Sequence, residues 1–594
     1  MIDRVEAELD KRRRNGNGNG NGRGFDWAAL FRRAAPLPVR QVAWRAIDML
    51  PPAAQRRFRH TGEHRRWKMQ QLYEREAPPL PTAPTVLFWI PGGMHLLLHV
   101  ETAIAAALRL RGYNVHAIIC DSPYRACVRR EATDGIPVED WRRLCPKCIA
   151  SNRDVLDVMG IPYSSVGDFV PLDVRTELHA RAEQCTRENI LELTHKGLQL
   201  GKNVLSAITR YQQGSSAPMD DRILREYAFS ALVSAEAAGH VLDRFKPGRV
   251  LMSHAVYVDW GPALNAAVSR GIPVTGWKAS YLTARFFFRH VSDPERIDFH
   301  NISESAWLKR AATPLTPDED EALQAFLDRR YRQRVSFDMR NLKNYTGETE
   351  RFRQKYQLES GKPVWGIMAH INWDSVSDYS PMAYATFDEW LSDTIEHASR
   401  VPGVQWLIKV HPAEMDYDPN NGVQRLVETR FPSLPANVKI IPADEEISPL
   451  EFFDLLDGGV TVYGTSGLEL ALAGKPVILA GEAHYGGRGF TEDGLSIEYY
   501  RRLLASAGSI GPLSAGQTDL ARRYAYSLFV ERQIPLPLVR DPRSPWWSLQ
   551  HEKRDLLIAG NDAFLDFICD RLMDGEDFIM DPELVKLADS HQPA

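Results

Sequence analysis

The chain has 594 residues, 44% of them apolar and 25% charged, which is the balance of an ordinary globular protein but too long for one core, so at least two domains are expected. A net charge of −5 and a pI near 6.4 exclude a chain that works mainly by binding nucleic acid. No apolar run reaches the roughly eighteen residues of a membrane helix and the start lacks a signal-peptide core, so a cytoplasmic protein is expected.

Charge is uneven along the chain. Residues 1–76 hold 17 Lys/Arg against 9 Asp/Glu, a balance of +8 that leaves −13 for the remainder. Residues 1–24 read as a disordered basic arm, because the Asn-Gly repeat from Asn15 to Gly22 has nothing to pack. Residues 25–80 read as a helical extension. In it Phe25, Trp27, Leu30 and Phe31 lie beside Arg32 and Arg33, and Val42, Trp44 and Met49 near Arg40 and Arg45. Such helices suit either an anionic membrane face or the protein's own body.

Residues 81–300 read as an N-terminal Rossmann-like domain. Thr85–Ile90 is an apolar strand, Pro91-Gly92-Gly93-Met94-His95 a glycine turn, Leu96 to Arg111 a helix stopped by Gly112, and Val115 to Cys120 the next strand. The glycine pair lacks the full dinucleotide fingerprint and suits a tight turn into a cleft. Cys120, Cys127, Cys145 and Cys148 then form a cysteine-rich insertion. Cys145-Pro146-Lys147-Cys148 has the C-x-x-C spacing of a tetrahedral site, so a structural zinc is the leading metal reading; four thiolates also permit an iron–sulfur cluster, and Cys120 at a strand end equally suits a core.

After a helical linker over residues 301–360, residues 361–510 alternate strand and helix as a second Rossmann-like domain. Val364 to His370 is a strand leading into Ile371-Asn372-Trp373-Asp374-Ser375. Val404 to Val410 is the next strand, Gly422 to Thr429 a helix, Val438 to Ile441 a strand and Ser448 to Leu456 a helix. Gly459 to Tyr463, Ser466 to Ala473 and Pro476 to Ala480 continue the order strand, helix, strand. The carboxyl ends of such parallel strands are where ligands bind.

Two strand ends stand out. Lys409 and His411, two residues apart, face the same side, and Pro412 holds them at the rim. Gly464 lets a ligand approach the backbone, while Thr465 and Ser466 offer hydroxyls at a helix N-terminus, where an anion is favoured. Ser466 and Glu469 also have capping-box spacing, as do Ser448 and Glu451. Glu414, just past the His-Pro turn, joins the donor-binding candidates. Asn372 and Asp374 could hold a sugar or phosphate oxygen or cap the next segment. Asp416-Tyr417-Asp418 mimics a metal-binding D-x-D but leads into Pro-Asn-Asn, so it reads as a solvated loop and no catalytic metal is expected. Residues 511–594 read as a C-terminal helical tail containing Trp546-Trp547.

The run K-V-H-P, the segment Y-G-T-S-G-L-E-L-A-L-A-G-K-P-V and the later Gly486-Gly487-Arg488-Gly489-Phe490 resemble the capsular polysaccharide synthesis proteins, a family similar to bacterial Kdo transferases. The resemblance is densest from Val364 to Phe490 and implies an α/β fold with two Rossmann-like domains in a GT-B clamshell, the C-terminal tail bracing the hinge. It implies that His411, Thr465 and Ser466 bind the phosphate of a nucleotide sugar (CMP-, UDP- or similar) and that Glu469 holds its ribose. The N-terminal domain then faces a polysaccharide or glycolipid acceptor, which makes His95, Glu101 and His254 candidate bases. The expectation is a glycosyltransferase, peripheral at the inner membrane face if the basic arm binds lipid. The alternatives are a nucleotide-sugar epimerase of the same architecture and a non-catalytic nucleotide-sugar-binding scaffold of a capsule assembly complex.

Overall fold

A computed structural model describes residues 62–78, 84–92, 95–214, 220–333, 345–374, 379–416, 422–539 and 548–590, with single positions between 38 and 46. The basic arm, Trp27, Trp44, Ser375, Tyr417, Asp418 and Trp546-Trp547 lie outside the described residues. Strand β1, Thr85–Ile90, is buried from Val86 onward, as expected of a run with apolar side chains on both faces of a parallel sheet.

β1 is an inner strand of the first sheet. Its strands are β2 Asn114–Ile119, β3 Tyr163–Ser165, β6 Arg249–Ser253, β7 Val274–Ala279, β8 Arg285–Val291 and β15 Ile534–Pro535, in the order β15-β8-β7-β6-β1-β2-β3. Pairing is parallel from β3 to β7 and antiparallel between β7, β8 and β15. A small antiparallel hairpin, β4 Thr194–His195 with β5 Leu198–Gln199, stands apart. The helix after β1 runs His95–Leu110 and ends where Gly112 takes φ +85°, close to the predicted Leu96 to Arg111.

The second sheet is all parallel: β9 Val364–Met368, β10 Gln405–Lys409, β11 Val438–Ile441, β12 Gly458–Thr461, β13 Val477–Leu479 and β14 Glu492–Asp493, ordered β11-β10-β9-β12-β13-β14. On one face Trp365, Ile367, Trp406, Ile408, Val460 and Ile478 form a core with Trp390 and Leu391 of helix Phe387–Ala398 and Leu503 and Leu504 of helix Ile497–Ser506. On the other face Val364, Met368, Leu407, Val477 and Leu479 join the core that continues into the first domain. Helix Pro449–Leu455 starts with the predicted capping box, Ser448 with Glu451.

Both sheets are doubly wound. The chain moves outward from β1 through β2 and β3, then returns to β6 on the other flank; likewise it moves from β9 through β10 and β11, then returns to β12. Each reversal leaves a crevice at the carboxyl ends of two neighbouring strands, β1/β6 and β9/β12. Two Rossmann-like domains are therefore present.

The tail does return to the first domain. β15 pairs with β8, Arg532 donates to the carbonyls of Phe288, Phe299 and His300, and Gln533 Oε1 accepts from Ser280 Oγ at 3.0 Å and Leu282 N at 3.1 Å. Gly276 on β7 allows the loop after β8 to lie flat on the sheet. A Cβ there would sit 2.3 Å from the Phe299 ring, so Gly276→Ala should lower stability by about 1–3 kcal/mol through overpacking, read as a reduced urea midpoint; an unchanged midpoint contradicts this packing.

Candidate functional site between the two sheets

The two crevices share one cavity of about 560 Å³, within the usual size for a small-molecule site. The second domain contributes His370, Asp374, Lys409, His411 and the segment Gly464–Ser466; the first contributes His254, Tyr257, Lys278, Asp298 and His300.

Helix Thr465–Leu472 opens onto this cavity with Gly464 as its N-cap and no side-chain cap. The expected Ser466/Glu469 box does not form, because Glu469 turns to Arg330: Nε lies 3.1 Å from Oε1, and the side chains are only 5% and 8% exposed. The helix start thus keeps amides oriented for an anion instead of capping them internally. Gly467 is required by packing, since a Cβ there would lie 2.1 Å from Tyr485 Oη, and that hydroxyl donates to Gly464 O at 2.6 Å. Thr465 Oγ1 is 3.0 Å from the Tyr281 hydroxyl of the first domain.

β9 lies between β10 and β12, so the Lys409/His411 and Thr465/Ser466 strand ends are separated by the end of β9. There His370 accepts from the amides of Val462 and Tyr463 at Nε2, both at 3.2 Å, and stacks on Phe387 at 4.6 Å. Two amides on Nε2 place the ring proton on Nδ1. Burial, aided by the nearby His411, lowers His370 to about 3, so the imidazole is neutral. His411 lines the same wall and its Nδ1 accepts from Ala413 N at 3.2 Å, which puts the proton of the neutral ring on Nε2. Lys409 Nζ donates to the carbonyls of Val410 and Pro442 at 3.2 and 3.3 Å, and burial lowers it to about 8. Sequence reading did not single out His370, because no motif reveals lateral strand order.

Two of the other donor-side candidates turn elsewhere. Asn372 is buried and donates to Asp388 Oδ1 at 3.2 Å; Glu414 accepts from Val423 N at 2.9 Å, capping helix Val423–Arg430, and burial raises it to about 7. Neither lines the cavity. Asp374 does, and accepts from the Tyr257 hydroxyl at 3.3 Å across the domains.

Of the three candidate bases the side chain of His95 lies outside the described residues, although its backbone opens the helix. Glu101 is 1% exposed beneath Trp277 and Ser253, does not line the cavity, and is raised to about 8 by burial, so it is a protonated core group. His254 does line the cavity. It sits in a turn where His254, Ala255 and Tyr257 all have φ between 56° and 61°, a left-handed conformation that costs energy for non-glycine residues. Its ring stacks on Trp260, Nδ1 is buried without a partner, and burial with Lys278 and Arg210 nearby lowers it to about 4.

Cys120, Cys127, Cys145 and Cys148 have local partners, and among the described residues no three of their sulfurs come within metal-ligand spacing of one another. Cys120 Sγ accepts from Ser122 N at 3.3 Å, Cys145 Sγ from Arg130 at 3.6 Å and Cys148 Sγ from Asn152 at 3.8 Å, while burial raises Cys120 and takes Cys127 to about 12. Among the described residues the group that meets ligand spacing is Asp298, His300 and His484, with ligand atoms within 4.8 Å of one another.

Two predictions follow from the buried polar contacts. Arg330→Met should cost about 3–5 kcal/mol by leaving the Glu469 carboxylate unpaired, and the double variant Arg330→Met/Glu469→Leu should recover most of that loss; equal losses in single and double variants contradict the pairing. His370 is neutral in the folded state down to about 3, against an ordinary value of 6.5, so between these values only the unfolded chain binds the proton and stability rises with pH. The stability advantage of the parent over His370→Gln should therefore be full above pH 6.5 and shrink as pH falls toward 3; a pH-independent gap in urea unfolding contradicts the neutral assignment.

Residues 300–505 match the model of a family described as capsule polysaccharide biosynthesis protein. No curated protein matches the chain. Among solved structures, the KpsC β-Kdo 2,4 transferase of Thermosulfurimonas dismutans is 16% identical, over 53% of this chain and 88% of that one, with a TM-score of 0.31. UDP-GlcNAc 2-epimerase from Neisseria meningitidis, bound to UDP-GlcNAc, is 14% identical over 74% and 94% of the two chains with a TM-score of 0.23. Anabaena HepE, in complex with UDP and glucose, is 14% identical over 76% and 95% with a TM-score of 0.24. Overlays this loose leave the architecture to rest on the strand orders above. The residues that match the capsule polysaccharide biosynthesis family, 300–505, include the K-V-H-P strand end and the T-S-G-L-E helix start.

Proposed function

We propose that the protein is a glycosyltransferase that moves a sugar from a nucleotide-activated donor to a surface polysaccharide or glycolipid. The observation that carries this reading is the helix start Gly464–Ser466: it lies at the β9/β12 reversal, has no side-chain cap, and opens into a cavity whose opposite wall is another Rossmann-like domain.

The donor's phosphate would accept from the amides at the start of the helix, from Thr465 and Ser466 and from His411. As the bond to the sugar breaks, negative charge grows on the phosphate, and donors already in place stabilise it without reorganising. Lys409 adds positive charge to the same wall. The acceptor would enter from the first domain, where His254 and Tyr257 line the cavity. A cytoplasmic protein whose basic N-terminal segment meets the inner membrane face, where glycolipid acceptors would lie, fits the same proposal.

Purified protein should be melted with CMP, CDP, UDP and GDP, alongside His411→Ala and Thr465→Val. One nucleotide is expected to raise the parent's melting temperature, a ligand at a hundred times its Kd adding about 2.7 kcal/mol, and to have less effect on both variants. If no nucleotide acts, the donor site is not here. Conversion of a nucleotide sugar without any acceptor would point to an epimerase instead.

A further inference from the structure

Asp298 and His300 meet His484 of the loop between β13 and β14 at ligand spacing, and a cation would be one use for them. Their surroundings argue against it. Asp298 Oδ1 already accepts from the Tyr379 hydroxyl at 2.7 Å, from His300 Nδ1 at 2.8 Å and from His300 N at 2.9 Å. Lys278 and Arg532 both act electrostatically on the two imidazoles, and Arg289 donates to the Asp298 carbonyl at 3.0 Å. A divalent cation would add charge to a place already held by three cations.

The same contacts suit proton transfer. We infer that His300, oriented by Asp298, is the base that takes the proton from the acceptor hydroxyl. This rests on the glycosyl-transfer reading above. His300 Nδ1–H donates to the Asp298 carboxylate, so Nε2 carries the lone pair. His300 lines the cavity with 14% of its side chain exposed, whereas Asp298 behind it is 4% exposed. A nucleophile or base whose far nitrogen is held by a buried carboxylate has the correct tautomer fixed and its charged form stabilised.

Position supports the role. The Tyr281 ring stacks on His300 with centroids 5.6 Å apart, and the hydroxyl of the same tyrosine lies 3.0 Å from Thr465 Oγ1. One side chain therefore spans from the base to the helix start where the phosphate would depart. Arg532 donates to the His300 carbonyl and fixes the loop. His484 donates Nδ1–H to Tyr524 Oη at 3.0 Å, since that hydroxyl gives its own proton to the His484 carbonyl; its Nε2 lone pair is buried without a partner, 5.0 Å from His300 between ring centroids. His254, the other cavity imidazole on this side, stacks on Trp260 and its buried Nδ1 has no hydrogen-bond partner.

In the step, His300 Nε2 takes the hydroxyl proton and the acceptor oxygen bonds to the sugar's anomeric carbon. The bond from that carbon to the phosphate oxygen breaks, and its electron pair leaves with the nucleotide. The proton then passes from His300 to solvent. His300 is the catalytic residue and Asp298 a positioning residue.

The test uses the full chain with histidine labelled by nitrogen-15, and His300 assigned by its absence from His300→Gln. The Nδ1–H tautomer is expected, and Asp298→Asn should lower the pH at which His300 protonates, because Lys278 and Arg532 still act on it while the Asp298 carboxylate that opposes them is gone. An Nε2–H tautomer, or no effect of Asp298→Asn, overturns the inference. With CMP-, UDP- and GDP-sugars and simple glycoside acceptors, His300→Gln should lower kcat by about 10²–10⁴-fold while keeping the parent's nucleotide-induced melting shift. In Asp298→Asn the acid limb of the rate should move to lower pH with kcat reduced. Retained turnover in His300→Gln with an intact nucleotide shift sinks the base and spares the donor site. Loss of the shift in the parent sinks the donor site itself.

Discussion

A chain that winds outward from β9 through β10 and β11 and then returns to β12 must send its two crossovers to opposite sides of the sheet. No connection can then cover the carboxyl ends of β9 and β12, and the backbone groups there are left for a ligand. Everything at the candidate site depends on this reversal. It places His370 and the Gly464–Ser466 helix start side by side, although the intervening chain spans two further strands. The same topology in the first sheet opens the β1/β6 crevice, and facing one reversal with the other makes the cavity.

Holding the two crevices opposed is the work of a few polar contacts set among apolar ones. Tyr281 reaches Thr465, Tyr257 reaches Asp374, Ile297 N bonds Tyr379 O at 3.0 Å, and Arg296 pairs with Glu482. Arg330 does more than pair with Glu469, because its guanidinium also lies over the Tyr281 ring at 4.6 Å. The carboxylate that could have capped its own helix instead anchors an arginine from the segment between the sheets, and the helix start remains available. The tail adds a third tie. Arg532, lowered to about 10 by burial, gives its protons to three carbonyls of the first domain, and that expense is tolerable only where the loop it fixes must not move.

The strands were legible because short apolar runs bounded by Gly, Pro and Asn leave few other readings; β1, β10, β11 and β12 fall within two residues of their expected limits. The Thr465/Ser466 helix start was legible as well, since a glycine followed by hydroxyls after a strand has a local physical meaning. What could not be read was lateral. Sequence order says nothing of β9 lying between β10 and β12, so His370 carried no signal. Glu414 and Asn372 failed for a related reason: short polar side chains after a strand serve as caps as readily as they serve ligands, and here Val423 N and Asp388 claim them. Glu101 sits on a helix with apolar neighbours on all sides, and nothing in its spacing distinguishes a carboxyl aimed at a cleft from one buried under Trp277. Asp298 and His300 match no motif, and their partners Tyr379, His484 and Arg532 come from far along the chain.

The histidines of the cavity show how one site can hold both an anion and a proton acceptor. His370 and His254 are driven to about 3 and 4 by burial next to other basic groups, so near neutrality they add hydrogen bonds and shape but no charge. Positive charge comes instead from Lys278, from Arg330, which Glu469 holds, and from Lys409 and the helix start, of which the last two stand on the second-domain wall. That separation has a chemical consequence. A phosphate drawn to the second-domain wall does not find a competing imidazolium on the first, and an imidazole kept neutral there can still accept a proton. In the proposed transfer Asp298 would matter less for raising the affinity of His300 for a proton at rest than for stabilising it once the proton has arrived, when the negative charge that left the acceptor oxygen would have moved to the departing phosphate.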